Sequence, residues 1–398
     1  MSEIRVLKGT PAALGFTFPP EWARHRATWL SWPRPEGISF PGKYHTVPAN
    51  LAAIVAEIAP RELVRICVPN ENYERIVREQ LRAGGVSAEL LRRRIRCYCI
   101  PTNECWCRDH GPAFVVRTVG PASLPAAASL PAAASARRSA GTEARPTTKA
   151  RRELAIVDWG FNAWGGKYPP FDADDAVPTR AAETLRGSDA VAGVFYPRCA
   201  GRPVVMEGGA VDFNGAGTIL TTESCLLCRN RNPHLSRRQI DRCLREYYGQ
   251  RHVIWLGDGI AGDDTDGHID DLARFIGPRT VVIGVEDDPR DANHRVLRDN
   301  LRRLELARDQ DGRPLRVIAL PMPALVAYQG QRLPATYVNF YFVNGALLVP
   351  TFGQRVRDRR ALETLQAALP RRRVIGIDCR ELIWGLGAIH CLTQQQPA

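Results

Sequence analysis

Residues 213–222 read FNGAGTILTT, and residues 343–352 read VNGALLVPTF. Each stretch has an aromatic or apolar residue, the pair Asn-Gly and an apolar run, and a helical pattern begins soon after. Asn-Gly between two such runs predicts a tight hairpin, because both residues tolerate a positive φ. A repeated unit of strand, turn, strand and helix is typical of a circular or stacked repeat architecture, and it argues against a simple Rossmann fold.

Apolar runs and helical spacings alternate along the rest of the chain. The strand predicted at 203–211 carries Glu207, which must be paired or functional because an isolated buried charge is costly. The predicted strands are 27–32, 63–68, 95–101, 113–117, 154–159, 203–211, 218–222, 252–256, 269–275, 280–285, 315–320 and 374–377, with a hairpin at 339–350. The predicted helices are 50–59, 72–83, 237–248 (capped by Ser236), 292–307 and 358–368.

Size and composition are those of an ordinary globular protein, with 398 residues of which 44% are hydrophobic and 24% charged. No run approaches the ~20 apolar residues of a membrane span, and the N-terminal MSEIRVLKGT lacks the pattern of a signal peptide. We therefore expect a cytoplasmic protein with no membrane partner. The net charge of +12 is carried almost entirely by arginines spread along the chain, which predicts no nucleic-acid partner.

The 11 cysteines, an odd count, predict reduced thiols rather than a disulfide framework. Some of them cluster in CYCIPTNECWC at 97–107, and Cys225 with Cys228 forms a CxxC pair. Neither group has a partner pair at zinc-finger spacing, so no structural metal site is predicted.

A low-complexity segment, residues 120–152, interrupts the pattern. It contains the tandem ASLPAAASLPAAAS and then a basic Ser/Thr/Pro stretch without apolar periodicity. Such a composition cannot build a core, so we expect a flexible surface insertion within one domain that spans residues 1–398.

An acidic stretch, GDDTDGHIDDLAR at 262–274, places His268 among five aspartates in a basic protein. Such a cluster suits a cation, because a carboxylate near a positive charge stays ionised and a neighbouring histidine stays protonated. In an extended segment, His268 and Asp270 would point to the same face. A solvated acidic loop is the alternative. A calcium loop of the EF-hand type is not supported, because the glutamate at its twelfth position is missing.

The C-terminal stretch GLGAIHC at 385–391 places glycines before a cysteine. His390 would face away from Cys391 in an extended segment, so the partner of the thiol must come from elsewhere, and His268 is the candidate. A thiolate, a histidine and several carboxylates suit attack on the carbon of a cationic guanidinium, which carboxylates bind bidentately. A papain-like peptidase, the other use of Cys and His, would not need the acids.

Several motifs resemble one known family, the agmatine deiminases and the related bacterial peptidyl-arginine deiminases of the guanidine-modifying superfamily. The resemblance covers nearly the whole chain except the insertion. The motifs are WCRDHGP at 106–112, FNAWGGKY at 161–168, the stretch from EGGAVDF to NPHLS at 207–236, WLGDGIAGDDTDGHIDDLARF at 255–275, YVNFYFVNGALLVPTFG at 337–353 and IHCLTQQQP at 389–397.

The resemblance implies an α/β fold, a five-bladed pseudo-symmetric propeller with the site at its centre. It also implies a homo-oligomer, a small cationic guanidino substrate, and neither a metal nor an organic cofactor. It assigns a role to residues from several of the motifs. These are Cys391 as nucleophile, His268 as general acid and base, Asp109 and Asp270 as guanidinium clamp, Glu207 beside the histidine, and Trp106 with Asp264 towards the tail of the substrate.

The implied reaction is hydrolytic deimination through a covalent amidino-thioether on the cysteine, with agmatine and water giving N-carbamoylputrescine and ammonia. The family tail is commonly GGGNIHC, whereas here Leu386 replaces a glycine and Ala388 an asparagine. We expect Leu386 to narrow the approach or forbid a positive φ, and Ala388 to remove an amide near the nucleophile. A peptidyl-arginine deiminase and an amidinotransferase therefore stay open as alternatives.

Overall fold

A computed structural model describes residues 4–119, 151–186, 189 and 191–398, as short strands alternating with helices. The strands are β1 His25–Ser31, β2 Leu63–Val68, β3 Ile95–Cys99, β4 Ala113–Val119, β5 Arg151–Val157, β6 Val191–Phe195, β7 Arg198–Cys199, β8 Arg202–Pro203, β9 Asp212–Phe213, β10 Thr218–Thr222, β11 His252–Leu256, β12 Ala273–Gly277, β13 Thr280–Val285, β14 Arg316–Pro321, β15 Ala327–Tyr328, β16 Gln331–Arg332, β17 Tyr341–Val343, β18 Ala346–Thr351, β19 Arg373–Asp378 and β20 Thr393–Pro397. The α-helices are α1 Val47–Ile58, α2 Glu71–Ala83, α3 Ala88–Arg93, α4 Cys107–His110, α5 Ala163–Gly166, α6 Asp172–Asp175, α7 Val177–Leu185, α8 Glu223–Leu226, α9 Arg237–Tyr248, α10 Ala292–Leu306, α11 Arg355–Ala368 and α12 Ile389–Leu392.

Five mixed sheets among the described residues share one plan, in which one strand pairs antiparallel on one side and parallel on the other. A tight turn joins most of the antiparallel pairs, whereas a parallel pair needs a long crossover, which a helix such as α9, α10 or α11 supplies here. The sheets have the strand orders β20-β1-β2-β3, β4-β5-β6, β9-β10-β11, β12-β13-β14 and β17-β18-β19.

The two stretches that contain Asn-Gly form equivalent hairpins, as predicted. Phe213 pairs with Ile219 across the first turn, and Val343 pairs with Ala346 across the second. The helix predicted at 237–248 is also confirmed, with Ser236 as its cap. The Asn-Gly turns and the Ser236 cap therefore set where these hairpins and this helix begin.

Two predicted strands are wrong. Residues 203–211 are not a continuous strand, because Gly208–Ala210 forms a 3-10 turn after Glu207. A Cβ at Gly209 would lie 2.5 Å from Nδ1 of His268. The close packing of this backbone against His268, rather than strand pairing, therefore sets its conformation. Residues 269–275 are not extended throughout either, since Ile269–Asp271 is a 3-10 turn. The turn ends where Ala273 joins β12.

Residues 257–262, GDGIAG, follow β11 with the glycine spacing of a dinucleotide-binding loop. In a dinucleotide-binding fold this loop opens a helix whose N-terminus binds the pyrophosphate. Here the chain continues through turns to His268, and no helix follows the loop within that range. The glycine pattern therefore belongs to the acidic loop and not to a nucleotide site.

The largest cluster of buried apolar side chains joins α1, the β17–β18 hairpin and the C-terminal segment that holds Cys391. The nucleophile candidate is thus held by the core rather than by a surface loop. No helix in the described part of the chain is long and apolar enough to cross a membrane.

The predicted insertion, 120–152, lies outside the described residues except at its end. Arg151 and Arg152 belong to β5, so the insertion was predicted too long by these two residues. Strand pairing extends from Val157 to Arg151, and Arg151 lies opposite Val119 of β4.

Replacement of residues 120–150 by Asn-Gly should leave stability unchanged, because a two-residue turn can join two opposed strand ends. We expect a melting temperature within about 4 °C of the native chain, the shift that ~1 kcal/mol gives in a large domain. Calorimetry measures it. A drop several times larger would show that the segment contributes to the folded core.

Candidate active site

A cavity of about 280 Å³ lies beside the thiol of Cys391 and is bordered by Asp109, Trp106 and Asp264, as the predicted roles require. Cys391 lies in the short helix α12, which the core fixes. Asp109 lies in α4, one turn after Trp106, so both side chains come from the loop that follows β3.

His268 brings the predicted chemical residues together. Its Nδ1 lies 3.7 Å from Oδ1 of Asp109 and 4.0 Å from Oδ1 of Asp270, and its Nε2 lies 3.9 Å from Oε2 of Glu207. His268 and Asp270 do share one site, but the 3-10 turn places them there and not the extended backbone that the spacing suggested.

The surroundings of His268 favour the protonated form of its imidazole. Burial alone would lower its pKa, but the charge of Asp109 and the contacts with Cys225 and Glu207 raise it well above its usual value. Its Nε2 has no hydrogen-bond partner among the described residues. A proton at this nitrogen or at Nδ1 is therefore available for transfer to a bound molecule.

Glu207 is paired, as its burial required. Both of its carboxylate oxygens accept from Nε of Arg231, at 2.9 and 2.8 Å. Burial favours the neutral acid, yet Arg231 and His268 together lower the pKa of Glu207 below its usual value. Sequence reasoning missed Arg231, although it belongs to the RNRNP part of a quoted motif.

The two clamp carboxylates have different partners. Asp109 accepts from the backbone N–H of Gly209 at 2.9 Å and from Nε1 of Trp164 at 3.1 Å. Burial, with Asp270 and Glu207 nearby, raises the pKa of Asp109 to about 6.

Asp270 accepts from Nδ1 of His390 at 2.6 Å through Oδ2, while its Oδ1 is buried without a partner among the described residues. Burial alone would raise the pKa of Asp270, but His390, His268 and Arg274 lower it. Its free oxygen is an acceptor for an incoming N–H group.

Cys391 is 7% exposed, and its sulfur lies 3.7 Å from Oδ2 of Asp270. Nδ2 of Asn339 lies 3.1 Å from the same sulfur. Burial, followed by Asp270, Asp271 and Asp109, raises the pKa of the thiol well above its usual value. These surroundings therefore favour the neutral thiol, and a positive charge beside the sulfur would favour the thiolate.

The outer part of the cavity is acidic and aromatic. Asp264 accepts a hydrogen bond from the hydroxyl of Tyr168. Trp106 donates from Nε1 to Oγ of Ser39 at 2.8 Å, which fixes its ring as one wall. Glu104 also borders the cavity, and no lysine or arginine is among the described residues that line it.

Leu386 corrects one expectation, because it adopts φ 68° although a positive φ was expected to be forbidden. It caps the 3-10 turn Leu382–Gly385 by donating to the carbonyl of Ile383. A non-glycine residue in this region costs about 1–2 kcal/mol, which the surrounding packing must offset. Leu386 does line the cavity, in agreement with the expected narrowing.

Glu21 is the second functional residue that sequence reasoning missed. It accepts from Nη2 of Arg108 at 3.2 Å and from Nε2 of His390 at 2.8 Å, and Nη2 of Arg274 lies 2.9 Å away. Burial raises the pKa of a carboxyl, but these three neighbours lower it well below its usual range. Nothing in the sequence around Glu21 indicates this role.

Two groups of side chains have the spacing of metal ligands, with their ligand atoms within 4.8 Å of one another. They are Glu207 with Cys225 and His268, and Asp270 with Asp271 and Cys391. N–H donors already occupy both groups, Arg231 on Glu207 and Asn339 on Cys391, so a cation would have to displace them.

The sulfur of Cys391 lies at one end of an acidic cavity, beside buried carboxylates and the imidazole of His268. This arrangement suits attack on a cationic carbon centre. The comparisons with known proteins give the same class. A family model described as Porphyromonas-type peptidyl-arginine deiminase matches residues 17–397. The chain belongs to this family.

Several curated relatives of the chain are agmatine deiminases. Those of Ectopseudomonas mendocina and Pseudomonas aeruginosa are 36% and 35% identical, and the alignments cover 98% of this chain and 98% and 97% of theirs. The solved agmatine deiminase of Enterococcus faecalis has a TM-score of 0.82 at 30% identity, covering 100% of this chain and 99% of that one. A putative arginine deiminase from Porphyromonas gingivalis has a TM-score of 0.77 at 35% identity, covering 96% and 98%.

Glu21→Gln should destabilise the fold, because it removes the negative charge from three buried cationic groups. Loss of one partner of a buried ion pair costs about 3–5 kcal/mol. Urea unfolding gives the free energy. Glu57→Gln is the control, since its pair with Arg61 is partly exposed and such pairs contribute about 0–1 kcal/mol. Equal effects of the two substitutions would contradict the role of Glu21.

Proposed function

We propose that the chain hydrolyses agmatine to N-carbamoylputrescine and ammonia through a covalent amidino-thioether on Cys391. The observation that carries this proposal is the arrangement of charge around one cavity. Asp109 borders the cavity at the thiol end and Asp270 lies 3.7 Å from the same sulfur, while the outer end has Asp264 and Glu104 without a lysine or arginine among the described lining residues.

The acidic outer end supports an amine tail on the substrate. Agmatine is cationic at both ends, so its ammonium group suits Asp264 while its guanidinium lies between Asp109 and Asp270. Free arginine would bring its carboxylate against the same acidic wall, where like charges repel. The agmatine deiminases among its relatives support the same substrate.

Binding prepares the nucleophile. The guanidinium cation offsets the carboxylates that raise the pKa of Cys391, so the thiol loses its proton to the solvent as the substrate enters. The sulfur then forms a bond to the guanidinium carbon, and the electrons of one C–N double bond move onto nitrogen.

His268 moves the protons in both halves of the reaction. It donates a proton to the departing nitrogen, the C–N bond breaks, and ammonia leaves the amidino-thioether. The neutral imidazole then takes a proton from water, whose oxygen attacks the same carbon. The C–S bond breaks and returns the thiolate, and the remaining hydroxyl proton passes to the solvent, where it converts the ammonia released earlier into ammonium. Glu207, fixed by Arg231, stabilises the cationic imidazole.

The sheet plan supports the proposed architecture. Five mixed sheets with the same order of antiparallel and parallel pairs suit the blades of a pseudo-symmetric α/β propeller within one domain. The site residues come from the connections of different sheets, as a site at the centre of such a ring requires.

The substrate is tested by ammonia release from the purified chain given agmatine, free arginine and a blocked arginine peptide in parallel. We expect rapid release from agmatine and at least tenfold less from the other two compounds. Release from the peptide alone would replace agmatine by a polypeptide substrate.

Cys391→Ser is the matched control, because serine keeps the size of the side chain and is a far weaker nucleophile. It should abolish turnover while agmatine still binds in calorimetry. Turnover within tenfold of the native chain would rule out the covalent route.

Binding should depend on pH through Asp109. This carboxyl has a pKa raised to about 6, so it is ionised above that pH and protonated below it. Agmatine binding to Cys391→Ser, in which the thiol cannot titrate, is expected to weaken about tenfold between pH 7 and pH 5. Calorimetry at both pH values measures the dissociation constant. A constant affinity would show that Asp109 does not bind the guanidinium as a carboxylate.

A further inference from the structure

Asn339 contacts the nucleophile with every polar group of its side chain and is 1% exposed. Its Nδ2 donates to Sγ of Cys391 at 3.1 Å and to Oδ1 of Asp271 at 3.0 Å. Its Oδ1 accepts from the backbone N–H groups of His390 and Cys391 at 3.0 and 3.4 Å. A primary amide has two donors and one acceptor oxygen, and all are used.

These partners fix the orientation of the amide. Backbone N–H groups only donate, so the side-chain oxygen of Asn339 must face the turn of α12, and the NH₂ group must face the sulfur and Asp271. The hydrogen-bond network therefore decides between the two orientations of the amide, and it places an N–H group on the sulfur.

The sulfur needs such a donor because its other neighbours destabilise a thiolate. Asp270 lies 3.7 Å away, Asp271 and Asp109 add further negative charge, and Cys391 is only 7% exposed to solvent. Hydrogen bonds to a charged atom are roughly twice as strong as those between neutral groups. Besides Asn339, the backbone of Ala388 lies beside the thiol and lowers its pKa.

We propose that Asn339 is a catalytic residue whose Nδ2–H stabilises the negative charge on the Cys391 sulfur, while its Oδ1 holds the turn that carries the nucleophile. It acts twice in the proposed reaction: when the thiol loses its proton, and again when the C–S bond of the amidino-thioether breaks and the electron pair returns to sulfur. The inference rests on the proposed function for these steps.

Ala388 brings no side-chain amide to the nucleophile. The side-chain amide that contacts the sulfur comes from Asn339 instead.

The test follows the thiol directly and needs no substrate. Native chain, Asn339→Asp and Asn339→Ala are treated with iodoacetamide between pH 7 and 10, and mass spectrometry follows the peptide that contains Cys391. The Asp variant keeps the acceptor for α12 and the Ala variant adds no charge, so a shared change reports the lost donor. Asn344→Asp is the matched control, because its amide binds the backbone of His25, away from the sulfur.

Both Asn339 variants should be alkylated at least tenfold more slowly at pH 8, with the pH profile displaced upward, while Asn344→Asp stays within twofold of the native chain. The groups that face the sulfur, Asp270, Asp271, Asp109 and His268, are unchanged in all variants. Rates are compared below the melting temperature of the weakest variant, with circular dichroism to show that it is folded.

Unchanged alkylation in both variants would overturn the role of Asn339, even if agmatine is hydrolysed. If both Asn339 variants are alkylated more slowly but the native chain hydrolyses no guanidino compound, the role of Asn339 is retained and the proposed function is rejected. The kinetics of agmatine hydrolysis separate the two roles further, because a donor to the sulfur should lower kcat at least tenfold when removed and leave KM within about threefold.

Discussion

The negative charge of Glu21 lies in the interior, where an unpaired carboxylate would be very costly. Three side chains from distant parts of the sequence converge on it, the guanidinium groups of Arg108 and Arg274 and the imidazole of His390. Each of them is near in sequence to a residue of the site. A single carboxylate therefore fixes three segments relative to one another, and the loss of any partner leaves a buried charge without compensation.

This network explains how an acidic site persists inside the protein. Asp270 remains a carboxylate because His390 binds one of its oxygens and leaves the other free. Glu207 remains one because Arg231 binds both of its oxygens. Of the buried acids at the site, Asp109 borders the cavity, whereas Asp270 and Glu207 lie deeper, beside the sulfur and the imidazole of His268.

The sequence predicted which residues lie together better than it predicted the backbone conformation around them. Most strands and helices and both hairpins were predicted correctly, because turn pairs and caps are local signals. The proposed chemical residues also lie close together, as the motifs indicated, and their roles stay a prediction. The segments at Gly208 and Ile269 were predicted as strands and form 3-10 turns, because long-range packing against the site decides their conformation. Glu21, Arg231 and Asn339 were missed for the same reason: their partners are more than 20 residues away in the chain, and no periodicity records that distance.

Asp109 and Asp270 were predicted as a guanidinium clamp, and their environments differ. The imidazole of His390 contacts Asp270 at 2.6 Å and lowers its pKa. Asp109 instead accepts hydrogen bonds from a backbone N–H and an indole, while the imidazole of His268 lies 3.7 Å away. Burial therefore raises the pKa of Asp109 to about 6. In the proposed complex the guanidinium would neutralise Asp109, so substrate binding and ionisation of this carboxyl would favour each other. The same cation would offset the carboxylates that disfavour the Cys391 thiolate, which would couple arrival of the substrate to formation of the nucleophile.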